Sequence, residues 1–461
     1  MIDYRNFGIG ATLLLLLVGN SFAERFPDAA WEHVDPEAAG WSKRKLEKAS
    51  DWSRQIGSIA VMIVHHGAVV AEWGDTAAKT DLASVRKSLL SALIGIAVAR
   101  NEIGLSWTLE SLAIDDNEPS LSIEEKSATV RDLLQARSGI YHPALYETHR
   151  MAALRPARHS HKPGTFWYYN NWDFNTLGSI YERTVHASIF EAFEREIARP
   201  IGMQDYHPSD GQYVTGAASV HPAYPFKMSA RDLARFALLY LYKGRWHHQQ
   251  LIPVDWVEES TRAYSWSESG PGYGYLWWTG PIDDGAAPSV NLPVGTFFAR
   301  GAGGQYAFVI PSYDLVIVHR APHHHEAPSH RAIGRLLWLI LDAGSLPDIG
   351  PDASIEAAQH SRIHGEALQR TLAGKTLLYG AKAMGGPYRI RLGSDGSATL
   401  LEGREATADT GTWSIQKDEF CREWTRIEPH HMCFAATGTG SHVQLFDHEG
   451  LMSIDAEIVD K

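Results

Sequence analysis

Cysteine, net positive charge and long apolar runs are all scarce in this 461-residue sequence, and each scarcity excludes something. There are two cysteines, Cys421 and Cys433, and neither C-x-x-C nor H-E-x-x-H occurs, so no metal-binding spacing is spelled out. The adjacent histidines at 65–66, 247–248, 323–325 and 430–431 lack that spacing and read as loop residues, which leaves no metal and no cofactor expected. Forty-two Lys and Arg stand against 54 Asp and Glu, a net charge of −12, which argues against the basic face a nucleic-acid partner requires. A G-x-S-x-G nucleophile elbow is missing too, which counts against an α/β-hydrolase. Past the first residues no apolar run approaches the length of a membrane span. The hydrophobic and charged fractions, 44% and 21%, are those of an ordinary globular protein, long enough for more than one domain.

The first 23 residues have one arginine, Arg5, an apolar block ending near Val18, and small residues at Ser21 and Ala23. That is the layout of a cleaved export signal, and it predicts a secreted or periplasmic protein. In such a protein the two cysteines, twelve residues apart, read as a disulfide worth about 3 kcal/mol by loop closure.

From residue 24 the pattern runs helix, hairpin, a long helical middle, several strands and a closing helix. A capping serine opens 42–57, two β-rich runs meet at His66-Gly67, and helical periodicity follows from Ser84 through 243. Strand-like segments occupy 273–280, 295–311 and 315–320, and 330–344 closes as a helix. The predicted class is α+β within the wider α/β grouping: an antiparallel sheet flanked by helices, with an inserted helical subdomain, over 24–345. Residues 346–360 read as a linker, and 361–461, with short alternating runs between turns, as an all-β accessory domain.

Three stretches carry candidate chemistry. Ser84-Val85-Arg86-Lys87 opens an apolar run, and on a helix positions three apart share a face, so the hydroxyl and the amine can meet. A dry surrounding would lower the lysine pKa and make it a base. The same residues are also compatible with a plain helix N-cap and a surface lysine. The S-x-x-K pattern occurs twice more, at Ser42–Lys45 in a charged surface segment and at Ser414–Lys417 in a strand. The second stretch, "PGTFWYYNNWDF" from residue 163, sets aromatics beside two asparagines; it offers a proton-relaying tyrosine, or simply an aromatic core corner. The third, "ARGAGGQYAFVIP" from residue 299, puts glycines on a strand, which marks close approach of a ligand or another backbone, or a bulge.

Taken together these stretches resemble the penicillin-recognising serine hydrolases, the group of class C β-lactamases, D-alanyl-D-alanine carboxypeptidases and related esterases, and within it the nylon-oligomer (6-aminohexanoate dimer) hydrolase branch. The family's S-x-x-K matches Ser84 to Lys87, and its PG-x-x-F-x-Y-S-N matches "PGTFWYYNN", placing the tyrosine at Tyr169 and the asparagine at Asn171. A register on Tyr168 and Asn170 fits Y-x-N but breaks the spacing from Pro163. "LLQARSGI", "PIGMQDY" and "SARDLARFALLYL" are similar to further family stretches. Where most relatives carry Lys or His before T-G, this sequence has Ala299, with Arg300 expected on the opposite strand face.

The resemblance implies Ser84 as nucleophile, Lys87 as base and Tyr169 as shared acid and base, with Asn171 orienting Lys87 and substrate. It also implies an oxyanion site from the amides of Ser84 and Ala302, within a substrate-facing strand of Gly301, Gly303, Gly304 and Gln305. The expected substrate is a small ester, amide or peptide-like molecule. Loss of the cation at Ala299 counts against a carboxypeptidase or β-lactamase. A binding or sensor domain that acylates slowly or not at all is the alternative from another class.

Overall fold

The computed structural model describes residues 24–266, 272–280, 292–293, 295–322, 328, 330–346, 362–379, 388–402, 406–426, 431–439, 441–446 and 452–460. The 1–23 segment and, apart from Leu346, the 346–360 linker lie outside them, as do His323–His325 and His430.

An eight-stranded antiparallel sheet organises the first part. Its strands are β1 (Ala60–His65), β2 (Ala68–Gly74), β3 (Ser265–Trp266), β4 (Gly272–Tyr273), β5 (Trp278–Thr279), β6 (Phe297–Gly301), β7 (Gln305–Ile310) and β8 (Leu315–Arg320), in spatial order 2-1-8-7-6-5-4-3. The β1–β2 hairpin turns at His66 and Gly67, both left-handed, as the sequence predicts.

Both faces of the central strands are buried, so side chains alternate between two cores. Ala60, Met62 and Val64 of β1, with Val316 and Val318 of β8, join the core beneath the helical region. Val61, Ile63, Leu315 and Ile317 join the other, covered by helix α1 (Lys43–Gln55) and the closing helix at His330–Ala343. Ser42 caps α1, and Lys45 pairs with Asp342, which removes that S-x-x-K from consideration.

Helix α2 (Arg86–Ala99) runs through the first core. Every residue from Leu82 to Ala97 is buried except Ser84. Its small residues permit this: a Cβ on Gly95 would lie 2.3 Å from the Trp256 ring, so the two elements pack only with glycine there. Helix α3 (Asn171–Val185) packs beside it, opened by an Asn170 side chain that accepts from Trp172 N.

The C-terminal part is a closed barrel. Eight successive strands, from Thr376–Tyr379 to Met452–Val459, pair each with the next, and the last pairs back to the first. At this strand number the interior is just wide enough for side chains. Ile390, Leu400, Trp413, Phe420, Phe434 and Leu445 fill it, together with Leu368 and Leu372 of the helix Gly365–Leu372. Ser414 lies in one of these strands, bonded to Gln416, which removes the other S-x-x-K.

Cys421 and Cys433 face each other across neighbouring barrel strands and form a disulfide. Alkylation of the unreduced protein should therefore add no mass, and Cys421→Ser should lower barrel stability by about 3 kcal/mol in denaturant unfolding. Two alkyl groups, or an unchanged midpoint, would contradict the bond or its contribution.

Candidate active site

The serine sits in a turn built against strain. Ala83 holds a left-handed φ of 46°, and Ser84 follows in a short 3-10 turn, Ala83–Val85, that leads into α2. No side chain caps either helical start, so Ser84 is not an N-cap. A non-glycine residue in this region costs roughly 1–2 kcal/mol, offset by bonds around the turn. Asp81 Oδ1 accepts from Ala83 N at 2.6 Å. Arg320, buried at the end of β8, donates to the carbonyls of Thr80 and Asp81, each at 2.9 Å, and to Gln305 Oε1 at 2.9 Å.

Lys87 lies one turn on and is 1% exposed. Its Nζ is 2.9 Å from Ser84 Oγ and 2.6 Å from Tyr169 OH, and sits over the rings of Tyr169 and Phe174 at 4.1 and 4.5 Å. Burial, and next the neighbouring Arg86 charge, hold its amine well below the usual lysine range. Burial pushes the Tyr169 phenol up to about 12, opposed by its hydrogen bond to Ser84 and by the charges of Arg86 and Arg300. The shifts favour the neutral form of both groups: an amine better able to accept the serine proton, and a phenol able to pass one. Of the two registers, only Tyr169 reaches Lys87; the Tyr168 hydroxyl donates to Met151 O, and Asn170 is the α3 cap.

Asn171 is placed differently from expectation. Its Nδ2 donates to the Tyr146 carbonyl, and no hydrogen bond joins it to Lys87 among the described residues. Its Oδ1 is buried without a partner. With Asn175, which donates to Leu145 O, it clamps the 145–146 loop, where Tyr146 holds a φ of 61°.

The glycine strand meets the serine turn. A Cβ on Gly301 would lie 2.5 Å from Leu82 O and 3.0 Å from Ser84 N, so β6 and the turn touch backbone to backbone. The amides of Ser84 and of exposed Ala302, beside that contact, donate to no partner among the described residues. Gly303 and Gly304 turn the hairpin with φ of 76° and 79°. Gln305 does not face a substrate: it is fully buried, and its amide donates to Gly303 O and Ala321 O while accepting from Arg320. It shapes the hairpin from behind.

Ala299 is fully buried against Ala307. Arg300 alternates away from it, as expected, yet its charge lies close to the site. Its guanidinium lies 5.2 Å from the Trp278 ring centroid, and Trp278 stacks on Tyr169 at 5.3 Å. The missed contributors, Asp81, Arg320 and Trp278, had no local signal, because each acts through a partner distant in sequence. Arg86 did have one: a charge inside an otherwise apolar helix.

This architecture, a serine–lysine–tyrosine cluster around a buried lysine between an antiparallel sheet and a helical region, is that of the β-lactamase-like hydrolases. A family model described as beta-lactamase matches residues 43–341, more than half of the chain, and the chain belongs to that family. Among solved structures it resembles a 6-aminohexanoate-dimer hydrolase homologue from Bacillus anthracis, with 21% identity over 70% of this chain and 89% of that one, at a TM-score of 0.51. It also resembles an octameric penicillin-binding protein homologue from Pyrococcus abyssi, with 15% identity over 90% and 99% of the two chains, at a TM-score of 0.50. These likenesses are of fold. No curated protein sequence matches the chain significantly.

Because an added methyl at Gly301 would meet the Leu82 carbonyl, the Ser84 amide and the Ala83 Cβ, none of which can swing aside, Gly301→Ala should lower the thermal midpoint by a few degrees, the usual consequence of about 1–3 kcal/mol of overpacking. An unchanged midpoint would show that β6 and the serine turn are not in contact.

Proposed function

We propose that this chain is an exported serine hydrolase that opens an ester or amide bond through an acyl-serine intermediate. The observation that carries this reading is the buried Lys87 amine, lying between Ser84 Oγ at 2.9 Å and Tyr169 OH at 2.6 Å. Ser84 Oγ attacks the carbonyl carbon as its proton passes to Lys87. Carbonyl oxygen charge develops toward the unpaired amides of Ser84 and Ala302. The tetrahedral intermediate collapses when the proton is delivered, through Tyr169, to the departing oxygen or nitrogen. Water then attacks the acyl-serine, Lys87 takes its proton, and the acid leaves with Ser84 restored.

Export is supported by the 1–23 pattern and is consistent with the disulfide. The structural likeness to a 6-aminohexanoate-dimer hydrolase homologue favours linear amides and esters over lactams. Turnover separates this reading from a binding or sensor domain, which would acylate at most once.

Ser84→Ala should abolish p-nitrophenyl ester hydrolysis and fluorophosphonate labelling with the thermal midpoint nearly unchanged, since no cap is lost; retained labelling refutes the assignment. Ester kcat/KM should rise with pH as Lys87 loses its proton, at a pH well below that of an ordinary lysine, and stay level until Tyr169 ionises near 12. An activity that falls across neutral pH on going alkaline would reverse the roles. Arg300→Ala should cut the preference for a carboxylate-bearing ester over its neutral analogue by roughly tenfold, the scale of one charged hydrogen bond. A ratio that does not move would place Arg300 outside substrate recognition.

A further inference from the structure

Arg86 lies between the nucleophile and the base, and the chemistry above does not use it. It is 1% exposed. Among the described residues no carboxylate pairs with it: Nη2 donates to Asn175 Oδ1 at 3.4 Å, while Nε and Nη1 have no partner. The guanidinium is held instead by aromatic faces, with Cζ 4.4 Å from the Tyr224 ring centroid and 5.5 Å from that of Tyr146. A buried cation without a counter-ion is a standing cost to a fold. An apolar side chain would satisfy the same helix position, so the charge asks for a reason.

The groups around Lys87 supply one. Ser84 and Arg86 belong to its own turn, Tyr169 comes from the loop before α3, and Phe174 from α3. Arg300 of β6 and Tyr273 of β4 stand behind Tyr169. Asp173 on α3 bonds to Ser138 and Asn170, and burial pushes its carboxyl well above the ordinary range, which favours its neutral form. Asp81 meets the Tyr146 hydroxyl and the Ala83 amide. Arg86, adjacent to Lys87 in the chain and buried with it, is the full charge that acts on the amine, through a dry interior in which charges interact more strongly than in water.

We propose that Arg86 is a positioning residue that acts electrostatically: its uncompensated buried charge keeps the Lys87 amine in the neutral, proton-accepting form. The inference rests on Lys87 being the base of the proposed reaction.

The test is the pH dependence of fluorophosphonate labelling and of p-nitrophenyl ester kcat/KM. In Arg86→Met the acid limb should move up by about one pH unit, which corresponds to roughly 1.4 kcal/mol of repulsion between two like charges. Below the limb this is roughly a tenfold loss, while the alkaline plateau changes little. Asn175→Asp leaves the guanidinium and its ring contacts in place but gives it a carboxylate, and should move the limb the same way as Arg86→Met. It decides the matter if Arg86→Met does not fold. A limb unmoved in both Arg86→Met and Asn175→Asp overturns the proposal. Wild-type protein that neither labels nor hydrolyses would overturn the serine–lysine reading itself, whereas normal reactivity with an unmoved limb overturns only the role of Arg86.

Discussion

The removal of one lysine amine from water is the constraint on which this site depends. An ammonium at the position of Lys87 would lose its hydration and gain only a hydroxyl, a phenol and two aromatic faces in return. That exchange is unfavourable for the charged form and tolerable for the neutral one. The neutral amine follows from packing: α2 is buried on all sides, and Ser84 alone between Leu82 and Ala97 retains exposure. One geometry thus places a dry amine and a partly exposed hydroxyl a single helical turn apart.

Holding that geometry requires a strained turn, and strain persists only where the surroundings over-determine it. The bonds of Asp81 and Arg320 fix the chain on either side of Ala83, and the bare face of Gly301 closes against Ser84. Arg320 reaches both the serine turn and, through Gln305, the glycine hairpin, so a single buried guanidinium ties together the two segments whose free amides flank the serine. Gln305 belongs to the support of the site rather than to its surface.

The barrel at the C-terminus solves a different problem. A lone sheet with two edges would expose unpaired backbone, and closure of eight strands removes both edges. Its core is small, filled by single side chains and plugged by Leu368 and Leu372, so the disulfide between adjacent strands adds stability where little apolar area is available. The structural likeness to the Pyrococcus abyssi protein extends over 90% of this chain, and so includes the barrel.

Much of this was legible in the sequence. Periodicity predicted the hairpin at His66-Gly67, the helices with their capping serines and the β-rich C-terminal region, because these features are local. The spacing of Ser84 and Lys87 and the offset of Tyr169 from Pro163-Gly164 named the three groups that meet. The sequence could not decide whether Ser84 was a cap or a nucleophile, since the same letters serve both and only burial of Lys87 distinguishes them. It expected Asn171 at Lys87 and Gln305 at a substrate, whereas their bonds run to Tyr146, Ala321 and Arg320, and strand alternation, which put Arg300 on the opposite face, says nothing of the Trp278 ring that lies between Arg300 and Tyr169. Residue spacing along one helix or strand is fixed by backbone geometry. Which distant side chains fill the remaining space, and so which charges and hydrogen bonds act on the serine, is settled only when the elements pack.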